Sequence, residues 1–404
     1  MILWFFIVVT LLMLLNAGCV ASSALIREVV VAPAVDYDAG GETLNIHKVT
    51  RRYESWLAGQ IPLIARDLRL KHTLMRRAVF PFLRGTFYRW CQLWPEVCPE
   101  VAKAPVVLAV GDLHVENFGT WRDGEGRLVW GINDFDEVAV MPYTMDLVRL
   151  AASARLAIDA DHLRTDAESA CDSILTGYRN GLKAGGRPIV LGEHHQWLRE
   201  LAISEARDPL RFWDKMGRLP RLRRRVPGSA IKAIESLMPD VDVKYRVAQR
   251  TAGIGSLGRE RYTAIADWDG GRIAREAKAL VTSAYAWARG GKIKREILYQ
   301  EALDRSVRCC DPFVRRRGRW VVRRLAPDCS RIELTSLPKQ WDEARLFYEM
   351  GWETANVHCG TPKAVKMIVR DLRKRPAAWL HNAARAMTKA TVKDWQEWKT
   401  ARRD

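Results

Sequence analysis

No CxxC pair occurs among the eight cysteines, which excludes a zinc ribbon and a thioredoxin-type redox motif. Adjacent Cys309 and Cys310 would form a strained vicinal disulfide, so both are read as thiols. The chain also lacks internal repeats and low-complexity tracts, and no nucleic-acid recognition motif accompanies its positive charge. Before Arg27 it carries no charged side chain at all. That gap leaves three readings of MILWFFIVVTLLMLLNAGCVASSALI. It resembles a signal peptide with Ser22-x-Ala24 as a cleavage site, but without the basic n-region. It is also long enough to span a bilayer, with Arg27, Lys48, Arg51 and Arg52 placing the main domain in the cytoplasm. A misassigned start codon is the third.

What is present is an ordinary globular composition, 48% hydrophobic and 28% charged over 404 residues, enough for two domains or one two-lobed enzyme. The net charge of +18 favours anionic partners without choosing among nucleotides, nucleic acid, acidic membranes and phosphorylated substrates. The excess gathers at 218–225, at 315–324 and in the last forty residues, each of which also reads as a plain solvated face.

Five segments are expected: a hydrophobic signal or anchor at 1–25, a linker at 26–46, a helical catalytic lobe at 47–240, a β-rich nucleotide-binding lobe at 241–340, and helices at 341–404 that complete the helical lobe. Apolar spacing predicts a helix over 47–78, and FPFLRGTFY (80–88) reads as a turn-containing aromatic segment. Strands are expected at 104–110 and 127–134, and helices at 143–158, 163–183 and 192–206. Residues 244–280 read as strand, Gly-rich loop, strand, DGG turn and strand, with a further strand at 318–326. Trp352, Trp379, Trp395 and Trp398 are expected to anchor the final helices.

The chemistry concentrates in GDLHVENFGTWRDGEGRLVWGINDFDEV (111–138). Asp112 and Asn117 stand five apart, and Asp134 and Asp136 follow a hairpin. Phosphoryl transfer asks of a protein mainly positioning and neutralised charge. An Asp beside the acceptor hydroxyl orients it and takes its proton, an Asn oxygen five residues on helps hold magnesium, and an Asp beyond the hairpin binds the same metal. Asp112, Asn117 and Asp134 have that order, with Asp136 as a second metal ligand or a loop acceptor. Hard oxygen donors without a Cys or His pair suit magnesium rather than zinc. His114 is expected to pack or touch substrate, and Asp146 to cap its helix or brace the loop. The bland alternative for the whole stretch is a polar turn with capping carboxylates.

GIGSLG (253–258) supplies Gly253, Gly255, Ser256 and Gly258 as candidate phosphate contacts. It is followed by ERYTAIADW, a strand pattern, whereas a dinucleotide-binding fold requires a helix there. A Gly-rich loop between antiparallel strands is what kinases lay over ATP phosphates. Lys278 lies twenty residues later on the next strand, where a kinase-like lobe places its phosphate-binding lysine. A plain hairpin and a surface lysine are the alternatives.

At these residues the chain resembles the kinase-like superfamily, especially aminoglycoside and choline phosphotransferases, with their GDxHxxN loop, I-D-F/W-D segment and downstream D-L. The matching positions are Gly111, Asp112, His114, Asn117, Asp134, Asp136, Asp146 and Leu147. It resembles more closely a bacterial family of unknown function sharing FLRG, GDxHxxNFG, NDFDE, a WDLxRL-like helix start and a later G-x-G-S-x-G, over roughly residues 47–385. Val110 replaces the His that precedes GD in many phosphotransferases, and Met145 replaces the family's Trp. The Gly-rich loop follows the catalytic loop, and the nearest analogue of the helix that normally precedes it, GWETANVH (351–358), comes near the end.

The resemblance implies an α+β, protein-kinase-like two-lobed fold, circularly permuted, with ATP and magnesium as cofactors and an unknown small-molecule or protein acceptor. Nucleotidyl transfer is an open variant. A nucleotide-binding pseudokinase acting as an adaptor, and a basic module binding nucleic acid or anionic lipid, are the other readings. No specific nucleic acid is expected, and a main domain in the cytoplasm, membrane-anchored or not, stands beside an exported one.

Overall fold

The computed structural model describes residues 45–160, 162–192, 194–202, 208–290, 296–329 and 342–400. The 1–25 segment and nearly all of the 26–46 linker lie outside them, as do the expectations that fall there. No helix among the described residues is long and apolar enough to cross a membrane.

The chain is a mixed α+β protein with three antiparallel sheets among the described residues. Strands β1 (Val106–Ala109) and β4 (Ala139–Pro142) pair with each other. A second sheet holds β2 (Phe118–Arg122), β3 (Leu128–Ile132) and the short β5 (Ile189–Val190). The third has β6 (Tyr245–Ala248), β7 (Arg261–Trp268), β8 (Gly271–Ala279), β9 (Val314–Arg317) and β10 (Trp320–Arg324) in the order β6-β7-β8-β10-β9.

Local chemistry accounts for the hairpins. Between β2 and β3, the Asp123 carboxylate accepts from the backbone N–H groups of Glu125 (3.1 Å) and Arg127 (2.9 Å), an Asx-type turn. Between β7 and β8, Asp269 and Gly270 take positive φ of 43° and 76°, as a tight two-residue hairpin requires.

The helix expected over 47–78 is two helices, Ile46–Ala58 and Ala65–Arg77, parted by Gly59 and Pro62. The aromatic segment at 80–88 is helical rather than a turn. Val79–Gly85 and Phe87–Val97 break only at Thr86, because Phe82, Phe87, Tyr88, Trp90 and Trp94 bury themselves from helical spacing.

Helix Tyr143–Ile158 is buried almost all round. Helices Ala167–Ala184, Glu343–His358 and Trp379–Thr400 pack on it. The last of these anchors itself with buried Trp379 and Trp398; Trp352 and Trp395 are half-buried. Helices Ala167–Ala184 and Glu343–His358 approach backbone to backbone. A Cβ on Gly351 would stand 2.0 Å from the carbonyl oxygen of Ile174, so only glycine allows the contact.

Candidate functional site

The loop at 111–117 leaves β1 with its backbone held from below. Asp146, fully buried, accepts the N–H groups of Val110 (2.7 Å) and Gly111 (2.8 Å) on its two carboxylate oxygens. It does not cap its own helix; it braces the loop. His358, at the end of helix Glu343–His358, places Nε2 3.0 Å from Asp146, and Tyr178 Oη lies 2.8 Å from His358 Nδ1. The backbone of Val110 is therefore braced through its N–H, whatever side chain it carries.

Asp112 meets Arg149, whose side chain is wholly buried. The guanidinium reaches Asp112 Oδ1 at 2.7 Å from Nε and 2.5 Å from the terminal nitrogen, and donates to the carbonyl of Leu83 at 2.8 Å. It is sandwiched by the rings of Phe87 and Trp90, each centroid 4.9 Å away. Asp112 Oδ2 is left facing the Gly-rich loop: a Cβ built on Gly255 would come 3.5 Å from it and 3.3 Å from the carbonyl of Arg84. Arg84, from the FLRG segment, also grips Glu116 of the same loop.

Asn117 spends its amide nitrogen on the carbonyls of Asp112 (3.2 Å) and Asp134 (3.3 Å), which leaves only its side-chain oxygen for a ligand. His114 is buried, accepts the Glu116 N–H at 3.2 Å, and packs edge-on to Phe80.

Lys278 reaches across from β8. Its ammonium lies 3.4 Å from Asp134 and 2.7 Å from Asp136. Asp134 remains 42% exposed, whereas Asp136 is enclosed and also meets Arg259 at 3.5 Å. Burial opposes the charge on both. For Asp134, Lys278 and the hydrogen bonds from Asp136 outweigh burial and hold the carboxyl well below the usual range. For Asp136, burial and the neighbouring Asp134 charge push it up. Arg259, the residue after the Gly-rich loop, also holds Glu137 at 2.8 Å, so the loop is tied to the NDFDE segment. Ser256 of the loop receives a hydrogen bond from Arg261 at 3.1 Å.

Side chains alternate along a strand, so Ala274, Glu276 and Lys278 share one face of β8, with roughly 13 Å from first to last. Around Ala274 lies an apolar cluster of Met216, Ala248, Ile265 and Leu325, flanked by Phe212 and Leu219. Glu276, fully buried, draws in Arg250 (2.9 Å), Arg261 and Arg323 (3.3 Å). Burial opposes its charge, and the three guanidiniums still hold it below the usual carboxylate range. One face thus runs from apolar, through arginine-rich, to the Lys278–carboxylate cluster.

These groups line a single cavity of about 620 Å³ between the five-stranded sheet and the helices. Asp112, His114, Asn117, Asp134, Asp136, Gly253, Gly255, Ser256 and Lys278 all reach it; Gly258 and Asp146 do not. Among the described residues its lining carries nine Lys and Arg side chains against five Asp and Glu, which suits an anion. Lys71 is one that sequence reasoning missed. It is buried under the cavity, and burial pushes its ammonium down to about 8. Arg149, Arg259, Glu137 and the Arg250–Arg261–Arg323 trio were also missed. Arg149 and Glu137 carried a signal, as the Arg of the DLxRL pattern and the Glu of NDFDE.

Among the described residues no group of three or more His, Cys, Asp or Glu is gathered closely enough to hold a metal ion. Asp136 is taken by Lys278 and Arg259, so the hard donors on offer are Asp134 and the oxygen of Asn117. Two such donors fit magnesium, which keeps waters and takes substrate phosphates for the rest of its shell.

Fold and cavity together define an α+β protein with a cation-rich, carboxylate-floored cleft between an antiparallel sheet and a helical body. Residues 63–210 match the model of a family described as an uncharacterized protein conserved in bacteria (DUF2252). That match supports the resemblance to a bacterial family of unknown function; it takes in FLRG, the 111–117 loop and NDFDE, and ends before the Gly-rich loop. No curated protein and no solved structure matches the chain.

Proposed function

We propose that the protein is a magnesium-dependent, ATP-using transferase of kinase-like type, built on a circularly permuted two-lobed fold. The observation that carries this reading is the meeting of Lys278 with Asp134 and Asp136, in the cavity that Asp112 and Gly255 also line. Kinases place the Gly-rich loop between their first two strands and the lysine on the third. Here the loop joins β6 to β7 and Lys278 sits on β8. His358 on Asp146 supports the permutation: a helix late in the chain reaches the bracing residue that an earlier helix would serve in an unpermuted order.

Phe212, Met216 and Leu325 would take the base of the nucleotide, and the arginines and Lys278 along β8 would neutralise its phosphates. Asp112 Oδ2, the oxygen not spent on Arg149, accepts the proton of the acceptor hydroxyl. Arg149 keeps that carboxylate oriented. Asp134 and the oxygen of Asn117 hold magnesium, which when bound neutralises phosphate charge. The apolar neighbourhood of the acidic loop holds these groups rigid, which electrostatic catalysis requires. Against an adaptor stands the retention of all four groups, Asp112, Asn117, Asp134 and Lys278, in one place.

Calorimetry on residues 26–404 tests the reading. ATP should bind more tightly with magnesium than without, and label from ATP should reach product or the protein itself. Equal affinity with and without magnesium, or no turnover of either phosphate end, removes it. Release of pyrophosphate in place of ADP would show nucleotidyl transfer.

A further inference from the structure

A second cavity of about 510 Å³ lies on the other side of the NDFD segment. It shares Asn133, Arg323 and Cys329 with the first and is otherwise lined by different residues. Its walls come from β9, β10, helix Tyr299–Arg305 and the β2–β3 hairpin. Among the described residues six arginines line it, at 308, 315, 316, 317, 323 and 324, against Asp304 and Asp311.

Much of this charge is held by neutral groups. Arg308 donates to the carbonyl of Ile132 at 3.1 Å, and its guanidinium lies 4.4 Å from the Trp121 ring centroid and 5.1 Å from that of Phe135. Its other terminal nitrogen is buried with no hydrogen-bond partner among the described residues, as are the Nε atoms of Arg323 and Arg324. Arg316 is oriented by the carbonyls of Gly318 (2.8 Å) and Ile297 (3.2 Å). Arg315, next to it on β9, is exposed and belongs to the other face of the sheet, that of Arg317, which donates to Ser236. Asp304 is bonded to Gln300 at 2.8 Å, and Asp311 serves the Phe313 N–H (2.9 Å) and Arg324 (3.5 Å). A buried donor without a partner is costly, and a fixed guanidinium fork matches phosphate geometry.

We infer that this cavity is a second binding site, for a small organic phosphate: the dianion is taken by Arg308 and Arg316, and the apolar part packs against Trp121, Phe135 and Tyr299. Its size is that of a metabolite pocket. The inference does not rest on the transferase reading, because Arg308 and Arg316 do not line the first cavity.

The test uses phenyl phosphate as probe, titrated into the protein by calorimetry, with inorganic phosphate alongside. Phenyl phosphate should bind more tightly than inorganic phosphate. Arg308→Gln should weaken it about tenfold or more, as loss of a charge-assisted hydrogen bond does. Arg316→Gln, at a side chain bonded only to the carbonyls of Gly318 and Ile297, should weaken it comparably and covers the case in which Arg308→Gln fails to fold. Lys278→Met should leave it within about twofold, since Lys278 lies only in the first cavity. Absence of binding to the unaltered protein, indifference to Arg316→Gln, or loss on Lys278→Met would each overturn the proposal.

Discussion

Arg149 contributes no reactive atom, yet Asp112 depends on it. The pair is buried on the arginine side and flanked by two aromatic faces. Breaking such a pair from one side leaves an uncompensated charge and costs about 3–5 kcal/mol. Arg149→Met should therefore lower unfolding stability, read from chemical denaturation, as well as turnover. Asp112→Asn should lower turnover by about two to four orders of magnitude while ATP binding changes little, as loss of a general base does. Asp134→Asn should instead abolish the magnesium dependence of binding. If the two variants lose ATP affinity equally, their separate roles collapse into one. Gly255→Ala is a finer probe. The added carbon presses within 3.3 Å of a carbonyl and 3.5 Å of Asp112 Oδ2, so turnover should fall with the melting temperature nearly unchanged.

At the scale of elements, the loop at 111–117 is positioned by a stack of contacts. Tyr178 touches His358, His358 touches Asp146, and Asp146 holds two backbone N–H groups of the loop. That stack exists because helices Ala167–Ala184 and Glu343–His358 pack at glycine distance. Gly351→Ala would place a methyl 2.0 Å from the Ile174 carbonyl oxygen and force the helices apart. Overpacking of this kind costs typically about 1–3 kcal/mol. The variant should lose at least that much stability in urea, and more turnover than the stability loss explains, because His358 is carried away from Asp146. The helix break at Gly59 and Pro62 is written in the sequence as plainly as the helical spacing around it. The helices within 79–97 were harder to read, because aromatic burial outweighed the local preference of Phe, Tyr and Trp for extended chain.

For the whole molecule, pH acts in opposite directions on two sets of carboxyls. Glu353 lies under β3, accepts the Ile132 N–H at 3.1 Å, and is pushed by burial from 4.5 up to about 7. A carboxyl raised in the folded state contributes stability that is fully present below its unfolded value and is lost as pH rises through the folded one. A tenfold change in proton affinity is worth about 1.4 kcal/mol, so this effect is on the order of a few kcal/mol. Asp134 and Glu276, held low by their cations, act the other way and lose their contribution as pH falls below about 4. Thermal unfolding should accordingly show greatest stability at mildly acidic pH. Glu353→Gln should flatten the decline between about pH 5 and 8; an unchanged decline would assign it to other groups. The +18 net charge gives no such pH signature, since most of it sits on Arg and Lys that do not titrate there.

By itself the sequence determined the things that spacing and residue type govern. The Asp112–Asn117 interval, the strand–loop–strand order over 244–280 and the helix at 143–158 follow from local periodicity and turn chemistry, which act over a few residues. Tertiary structure alone decided which of these segments meet. Lys278 stands 144 positions from Asp134, and His358 stands 212 from Asp146. No local preference encodes such contacts; they arise when sheet and helices bury their apolar faces together. The same packing supplied Arg149, Arg259 and the Glu276 arginines. Their role is to offset charge that burial would otherwise forbid, and the need for them exists only once the cavity has closed around the carboxylates.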